Sequence, residues 1–300
     1  MEKELAIRLQ GEQLKGDVVT LQKILFPVDF SDRCCDAALA VRTLALELDA
    51  EVLMLHVVET FAEELEYARN DVKERVGRST ALLERFLSTE FADLRVQREI
   101  QTGDAAVKIV EFARANKADL IMMPTHGYGP FRRFLLGSVT SKVLHDAECP
   151  VWTGTHLGAA LNTELLKVKR VVCAVDLGTQ SCQAARWASE FANRFGADLM
   201  LVHAVPLFTA PVPESWPSDW QGEAIRYAEE QLDGLRDSLK LECATRVVQG
   251  SPAFAIGSAV KEEEADLLVI GKSSHHGFIG RLGSQSYSIL CHSPSPVVSV

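Results

Sequence analysis

Short apolar runs alternate along the chain with longer stretches in which apolar positions recur every three to four residues. Residues 23–30, KILFPVDF, form the first run and show no helical period. Ala37, Ala38, Val41, Leu44, Ala45 and Leu48 then fall at helical spacing, which predicts an amphipathic helix. A second buried run follows, AEVLMLHVVE, and then a charged helix over about 61–91. The third run, LRVQREIQ, alternates more and is more polar, which suits a strand near a sheet edge. It ends in Gly103, and DAAVKIVEFARANK reads as another helix. The fourth run, ADLIMMP, is nearly all apolar, as a central parallel strand buried on both faces requires. A loop, one more helix and a short strand, PVWTG, complete the series.

The whole series then recurs. Asp29 and Asp176 stand 147 residues apart, as do His56 and His203, Gly103 and Gly250, and Asp119 and Asp266. Gly137 and Gly283 stand 146 apart, as do Pro150 and Pro296, so the second copy has lost one residue between 274 and 283. The second charged helix is predicted over about 219–240. A period this long means two domains rather than a solenoid, whose units run to roughly 20–50 residues. The expected division is an extension at 1–22, a first domain at 23–155, a linker at 156–168 and a second domain at 169–300. Strand–helix alternation with continuous apolar strands predicts an α/β fold, each copy a doubly wound parallel sheet with helices on both faces. Ligands of such sheets bind beyond the carboxyl ends of the strands, where the winding reverses. The segments after the first and fourth strands are therefore the places to look.

Composition narrows the function classes. The 300 residues carry a net charge of −10 and 47% hydrophobic residues. An acidic chain lacks the basic face that nucleic acid binding needs. No apolar run approaches the roughly 18 residues of a membrane span. The N-terminal stretch MEKELAIRLQGEQLKGD is charged and has no apolar signal core. The seven cysteines include no C-x-x-C pair, which argues against a disulfide framework or a structural zinc site and fits a reducing cytoplasm. Cys173 reads as a small core residue, and the adjacent Cys34-Cys35 has redox chemistry only as its minor reading.

The chemistry concentrates in MMPTHGYGPFRRFLLGSVTSKVLHDAECPVW, residues 122–152. Gly127 is followed by nine residues and then Gly137-Ser138, at the start of a helix whose first amides lack internal partners. Ser138 reads as a helix cap or as a donor to a phosphate oxygen. Arg132 and Arg133 read as added positive charge or as a solvated face. Asp29 ends the first strand, as a helix cap or as an acceptor for a sugar hydroxyl or base amine; Ser31 offers an alternative cap. His56 and His203 end the second strands and read first as satisfied core residues. His126 lies in the loop and is the histidine expected to touch a ligand. His275-His276 lacks a third metal ligand at suitable spacing, so no metal site is expected. The stretch EELEYARNDVKERVGRS reads as an exposed charged face.

At these residues the sequence resembles the universal stress protein family, in tandem two-domain form. The resemblance rests on Val28-Asp29 with Ser31, on LHVVE, on TGDAAVKIVEFARANKADLIMM and on HG-x9-GSVTSKVLHDAECPV. It covers nearly the whole chain from about residue 22. It implies two five-stranded parallel sheets of the adenine-nucleotide alpha-hydrolase-like kind. It also implies pairing of the domains' last strands as a pseudo-dimer within the chain or as a homodimer. Many members bind ATP through an aspartate after the first strand and a G-x-x-G, nine residues, then G-S or G-T. Carried over by position, the first site would comprise Val28, Asp29, Val57, His126, Gly127, Gly137, Ser138 and Val139. A second, weaker site would comprise Asp176, Gly271, Gly283 and Ser284. Both copies depart from the pattern. Pro124 replaces the first glycine of copy one, bringing a ring and no amide proton. Ser274 replaces the second glycine of copy two.

The function expected is a cytoplasmic stress-response protein binding ATP or another adenine nucleotide, with or without Mg, in a regulatory rather than metabolic role. The alternative is a nucleotide-free module with degenerate loops and unknown protein partners. Neither copy has the GK-S/T lysine of a P-loop, so enzymatic activity would amount at most to slow ATP hydrolysis. No catalytic residue is assigned.

Overall fold

The computed structural model describes residues 21–60, 69–125, 136–154, 167–178, 180–207, 219–272 and 284–300. The chain divides into two compact units between Leu166 and Lys167. The first contains β1 (Lys23–Pro27), α1 (Asp32–Leu48), β2 (Glu51–Val58), α2 (Arg69–Arg85), β3 (Val96–Thr102), α3 (Ala105–Asn116), β4 (Leu120–Pro124), α4 (Ser138–Asp146) and β5 (Val151–Gly154). The second contains β6 (Arg170–Ala174), α5 (Ser181–Phe195), β7 (Asp198–Val205), α6 (Trp220–Ser238), β8 (Ala244–Gln249), α7 (Pro252–Glu262), β9 (Leu267–Ile270), α8 (Ser284–His292) and β10 (Val297–Ser299).

In the first unit the strands lie in the order β3-β2-β1-β4-β5, all parallel. In the second the order is β8-β7-β6-β9-β10, again all parallel. The register repeats with the sequence: Leu53 pairs with Gln97, and Met200 with Ala244. Burial follows position. β4 is buried along Leu120–Met123, whereas β3 has no fully buried residue, as the apolar and alternating patterns predict.

The repeated Asp119 and Asp266 have a structural role. Asp119 Oδ2 accepts the Gln22 and Lys23 amides, both at 2.9 Å, and so ties the start of β1 to the start of β4. Asp266 Oδ2 does the same for the Lys169 and Arg170 amides, at 2.7 and 3.0 Å. Gly103 and Gly250 adopt φ of +134° and +137°, a region that side chains disfavour, immediately after the third strand of each unit.

The charged helix of the first unit ends earlier than expected. It stops at Arg85 rather than near 91, and Leu87 takes a left-handed φ of 53°. Tertiary packing overrides the helical propensity here. The turns after Arg85 bury Phe91 at 3% exposure, with its ring 6.3 Å from Phe26, and set Phe86 edge-on to Phe30 at 5.3 Å. In the second unit α6 runs on to Ser238.

Candidate functional site

The strand order places the winding reversal of the first unit between β1 and β4. At the carboxyl ends of those strands lies a cavity of about 940 Å³. Three of its walls come from positions that the sequence pattern or the family resemblance named. Val28 and Asp29 follow β1, Val57 lies near the end of β2, and Gly137, Ser138 and Val139 open α4.

Asp29 is held by its neighbours. Its Oδ1 accepts the Ser31 amide at 3.0 Å and the Cys34 thiol at 3.0 Å. Among the described residues nothing donates to Oδ2, so one oxygen is positioned and the other keeps its acceptor capacity. The cap of α1 is Ser31, whose hydroxyl accepts the Cys34 amide at 3.4 Å. Asp29 is thereby released from the capping role that the sequence left open.

Cys34 is buried, and burial first and the Asp29 charge second push its thiol up to about 12. It remains a protonated donor at neutral pH and not a reactive thiolate. Burial, ahead of Asp32 and other nearby carboxylates, also raises the exposed Cys35 thiol. Cys173 is fully buried between strands, as its pattern predicts.

His56 is half-buried and its Nδ1 donates to the Val28 carbonyl at 2.8 Å. The satisfied-core reading therefore holds, although the ring also lines the cavity. Burial lowers its pKa, outweighing the upward pulls of the Val28 carbonyl and of Asp29. Phe30 lies over it, with ring centroids 4.3 Å apart.

The cap of α4 is Gly137 and not Ser138, which is the first helical residue. Gly137 donates its own amide to Thr125 at 2.8 Å, and the first internal bond runs from Ser141 to the Gly137 carbonyl at 2.8 Å. The Ser138, Val139 and Thr140 amides precede that bond, the arrangement that makes a helix start an anion site. The Ser138 hydroxyl is exposed and makes no hydrogen bond with a described residue. Thr140 closes the turn by donating to the Pro124 carbonyl at 3.0 Å. Pro124 ends β4 opposite Gly154, beyond the β1 pairing at Ile24–Leu120 and Leu25–Ile121. It breaks no bond of that ladder, and it lines the cavity. His126, Gly127, Arg132 and Arg133 lie outside the described residues.

The sequence reading missed the fourth wall. Arg75, Arg78, Ser79 and Leu82 of α2 line the cavity, so one face of the charged helix is not simply solvated. Their i, i+3, i+4, i+7 spacing is the signal that was present, hidden by the mixture of charge and apolar character. Arg75 donates to the Glu59 carbonyl at 2.6 Å, joining α2 to the end of β2.

The second unit repeats the frame with different fittings. Asp176 Oδ1 accepts the Gly178 amide at 2.8 Å and the Ser181 hydroxyl at 2.9 Å. His203 Nδ1 donates to the Val175 carbonyl at 2.8 Å, the counterpart of His56. Gly271 follows β9, where an added Cβ would meet Ala184 at 3.7 Å and Gln180 at 3.8 Å. Those are ordinary contacts, so the start of α5 stands close over this position. Gly283, Ser274 and His275-His276 lie outside the described residues. Ser284 begins α8, and only its backbone is described. Among the described residues no cluster of three metal-ligating side chains occurs and no helix is long and apolar enough to cross a membrane.

Comparison with known proteins agrees with this architecture. A universal stress protein of Methanocaldococcus jannaschii is 35% identical over 136 residues, covering 43% of this chain and 79% of its own. A universal stress protein of Mycolicibacterium smegmatis is 26% identical over 286 residues, covering 90% of this chain and 94% of its own. The crystal structure of a universal stress protein from Archaeoglobus fulgidus superposes with a TM-score of 0.63 at 21% identity, covering 94% of this chain and 97% of that one. The profile of the universal stress protein family matches residues 20–153 and again 167–300. Two matches, together spanning most of the sequence, establish that the chain belongs to the universal stress protein family, in tandem form.

Proposed function

We propose that the first domain binds an adenine nucleotide, with ATP the leading candidate, and that binding is regulatory rather than metabolic. The observation that carries this reading is the single cavity joining Asp29 to the opening turn of α4 across the β1/β4 reversal. In this reading Asp29 accepts from the nucleoside through Oδ2, and the Ser138–Thr140 amides receive phosphate oxygens. Val28 and Val57 supply apolar wall, and Mg would accompany the phosphates as a counter-ion. The expected loop contacts, His126 and Gly127, belong to the same proposal. Pro124 removes one backbone donor. The loss of one hydrogen bond to a charged group, about 1.5–3 kcal/mol, weakens affinity roughly tenfold to a hundredfold without abolishing it. The site is thus proposed to work at millimolar nucleotide. The second site, at Asp176, Gly271, Gly283 and Ser284, is proposed to be weaker still.

Titration of the full chain with ATP and Mg, followed by calorimetry and thermal shift, tests this. Saturable heat that disappears in Asp29→Asn supports the site. No heat and no shift at several millimolar would discard it in favour of a nucleotide-free module. Phosphate release equal in wild type and Ser138→Ala is expected, and a Ser138-dependent rate would overturn the regulatory assignment. A cytoplasmic location belongs to this proposal, and fractionation of cells expressing the tagged chain checks it.

A further inference from the structure

We propose that Cys34 is the positioning residue of the first cleft: its thiol holds the Asp29 carboxylate so that one oxygen is engaged and the other is presented to the cavity. Cys34 acts through Asp29 and not by touching the ligand. The inference deepens the nucleotide reading given above and rests on it.

The two copies reach one arrangement with different atoms. In the first, Asp29 Oδ1 accepts the Ser31 amide and the Cys34 thiol, both at 3.0 Å. In the second, Asp176 Oδ1 accepts the Gly178 amide at 2.8 Å and the Ser181 hydroxyl at 2.9 Å. Each amide stands two residues after its aspartate and each side-chain donor five residues after it. The residues that follow the aspartates, Phe30 and Leu177, take left-handed φ of 62° and 58°. Residues with a Cβ rarely adopt that conformation. Both turns are therefore bent, against backbone preference, to bring an amide and a side-chain donor to one oxygen. Cys34 and Asp29 both line the cavity of the first domain.

Capping the next helix does not account for the donor. Ser31 caps α1, but the equivalent residue of the second copy is Gly178, and Gln180 caps α5 without a side-chain bond. The side-chain cap is absent from the second copy, whereas the donor to the aspartate is present in both. Packing does not account for it either. A thiol and a hydroxyl differ in size and polarity, and what they share is a proton on the γ atom. Cys34 is 1% and Ser181 3% exposed, so water does not compete for either bond. The other acceptor near the Cys34 thiol, the Pro27 carbonyl, stands 4.0 Å away, against 3.0 Å for Asp29. The thiol keeps its proton at neutral pH, through burial first and the Asp29 charge second. A carboxylate free to rotate would offer either oxygen in many directions. Two bonds to Oδ1 fix its torsion before a ligand arrives, which lowers the ordering cost of binding.

Calorimetric titration of the full chain with ATP and Mg, beside a thermal melt of each variant, tests the assignment. Cys34→Ser keeps a proton on the γ atom and is expected to bind ATP as wild type does. Cys34→Val fills the space of the thiol without a donor and is expected to weaken ATP roughly fivefold, the effect of one modest hydrogen bond. Its melting temperature separates the two roles: weaker binding in a variant that melts like wild type is the positioning result. Equal affinity in Cys34→Val and wild type would overturn the proposal, as would equal losses in Cys34→Ser and Cys34→Val. A second measurement needs no nucleotide and serves if Cys34→Val fails to fold. The S–H stretching band of Cys34, isolated by subtracting the Cys34→Ser spectrum, is expected at lower frequency in wild type than in Asp29→Asn. A carboxylate accepts a hydrogen bond more strongly than an amide does. The same frequency in both backgrounds would overturn the proposal. Wild type that binds no ATP would discard the nucleotide reading, and the band would still decide whether the thiol holds Asp29.

Discussion

The two domains share one frame but are fitted differently at the two ends of their sheets. The first holds a cavity of about 940 Å³ at the carboxyl ends of its strands, and its amino ends are laced by Arg42–Asp93 and Arg95–Asp49. The second carries Ser189, Lys240, Gly196 and Glu242 at the equivalent positions, lacks that lacing and holds a cavity of about 630 Å³ at its amino ends. Duplication preserved the residues that build the fold. Asp119 and Asp266 tie strand starts, and His56 and His203 tie strand ends, with nearly identical distances. It did not preserve the residues that fill or empty the spaces around the sheet. A site is thus a property of the fittings in each copy, and equivalent positions can be used to break the comparison.

The largest effect is expected at Phe91. Truncation of this buried ring to alanine leaves a cavity beside Phe26 and should cost about 3–5 kcal/mol. Its counterpart 147 residues on, Ser238, is exposed at the end of α6, and Ser238→Ala should stay within about 0.5 kcal/mol. Urea unfolding of both variants decides whether the turns after α2 anchor the first domain as described; equal small losses would contradict it.

Next comes Asp29. Asp29→Asn keeps an oxygen for the Ser31 amide and removes the charge, so it should weaken ATP roughly tenfold to a hundredfold. Asp176→Asn should leave the tighter phase of the same titration unchanged. The reverse result would move the principal site to the second domain. A smaller difference separates the helix caps. Ser31→Ala removes the α1 cap and should cost about 1 kcal/mol, whereas Gln180, which caps α5 without a side-chain bond, should tolerate alanine. Comparable losses in thermal melts would show that the Ser31 bond contributes little.

The frame was legible because burial acts on period. β4 and β9 show as unbroken apolar runs, and the repeat fixed the equivalences before any coordinate. The cap of α4 was misread by one residue, because a glycine with extended backbone and a serine after it both satisfy the local pattern. The end of α2 was misread because Phe86 and Phe91 act through distant partners, Phe30 and Phe26, that no local window contains. The α2 wall was overlooked because arginines that face a cavity look like arginines that face water. The amino-end cavity was invisible for a related reason: it arises from the absence of two ion pairs that only the other copy reveals.

The smallest expected effect concerns His56 and pH. Burial holds its folded pKa below the ordinary value of 6.5, so the unfolded chain takes up a proton more readily than the folded one. The associated stability is complete above pH 6.5. It declines as the pH falls below 6.5 and levels off once the folded imidazole also protonates. His56→Asn retains a side-chain N–H for the Val28 carbonyl and does not titrate. The melting temperature of wild type should therefore drop more between pH 7.5 and about 5.5 than that of the variant. Asp104, whose pKa is lowered first by the Val107 amide, contributes stability that is lost only at more acid pH and does not enter this window. Parallel melting curves for the two proteins across that interval would show that the proton on His56 is not linked to folding.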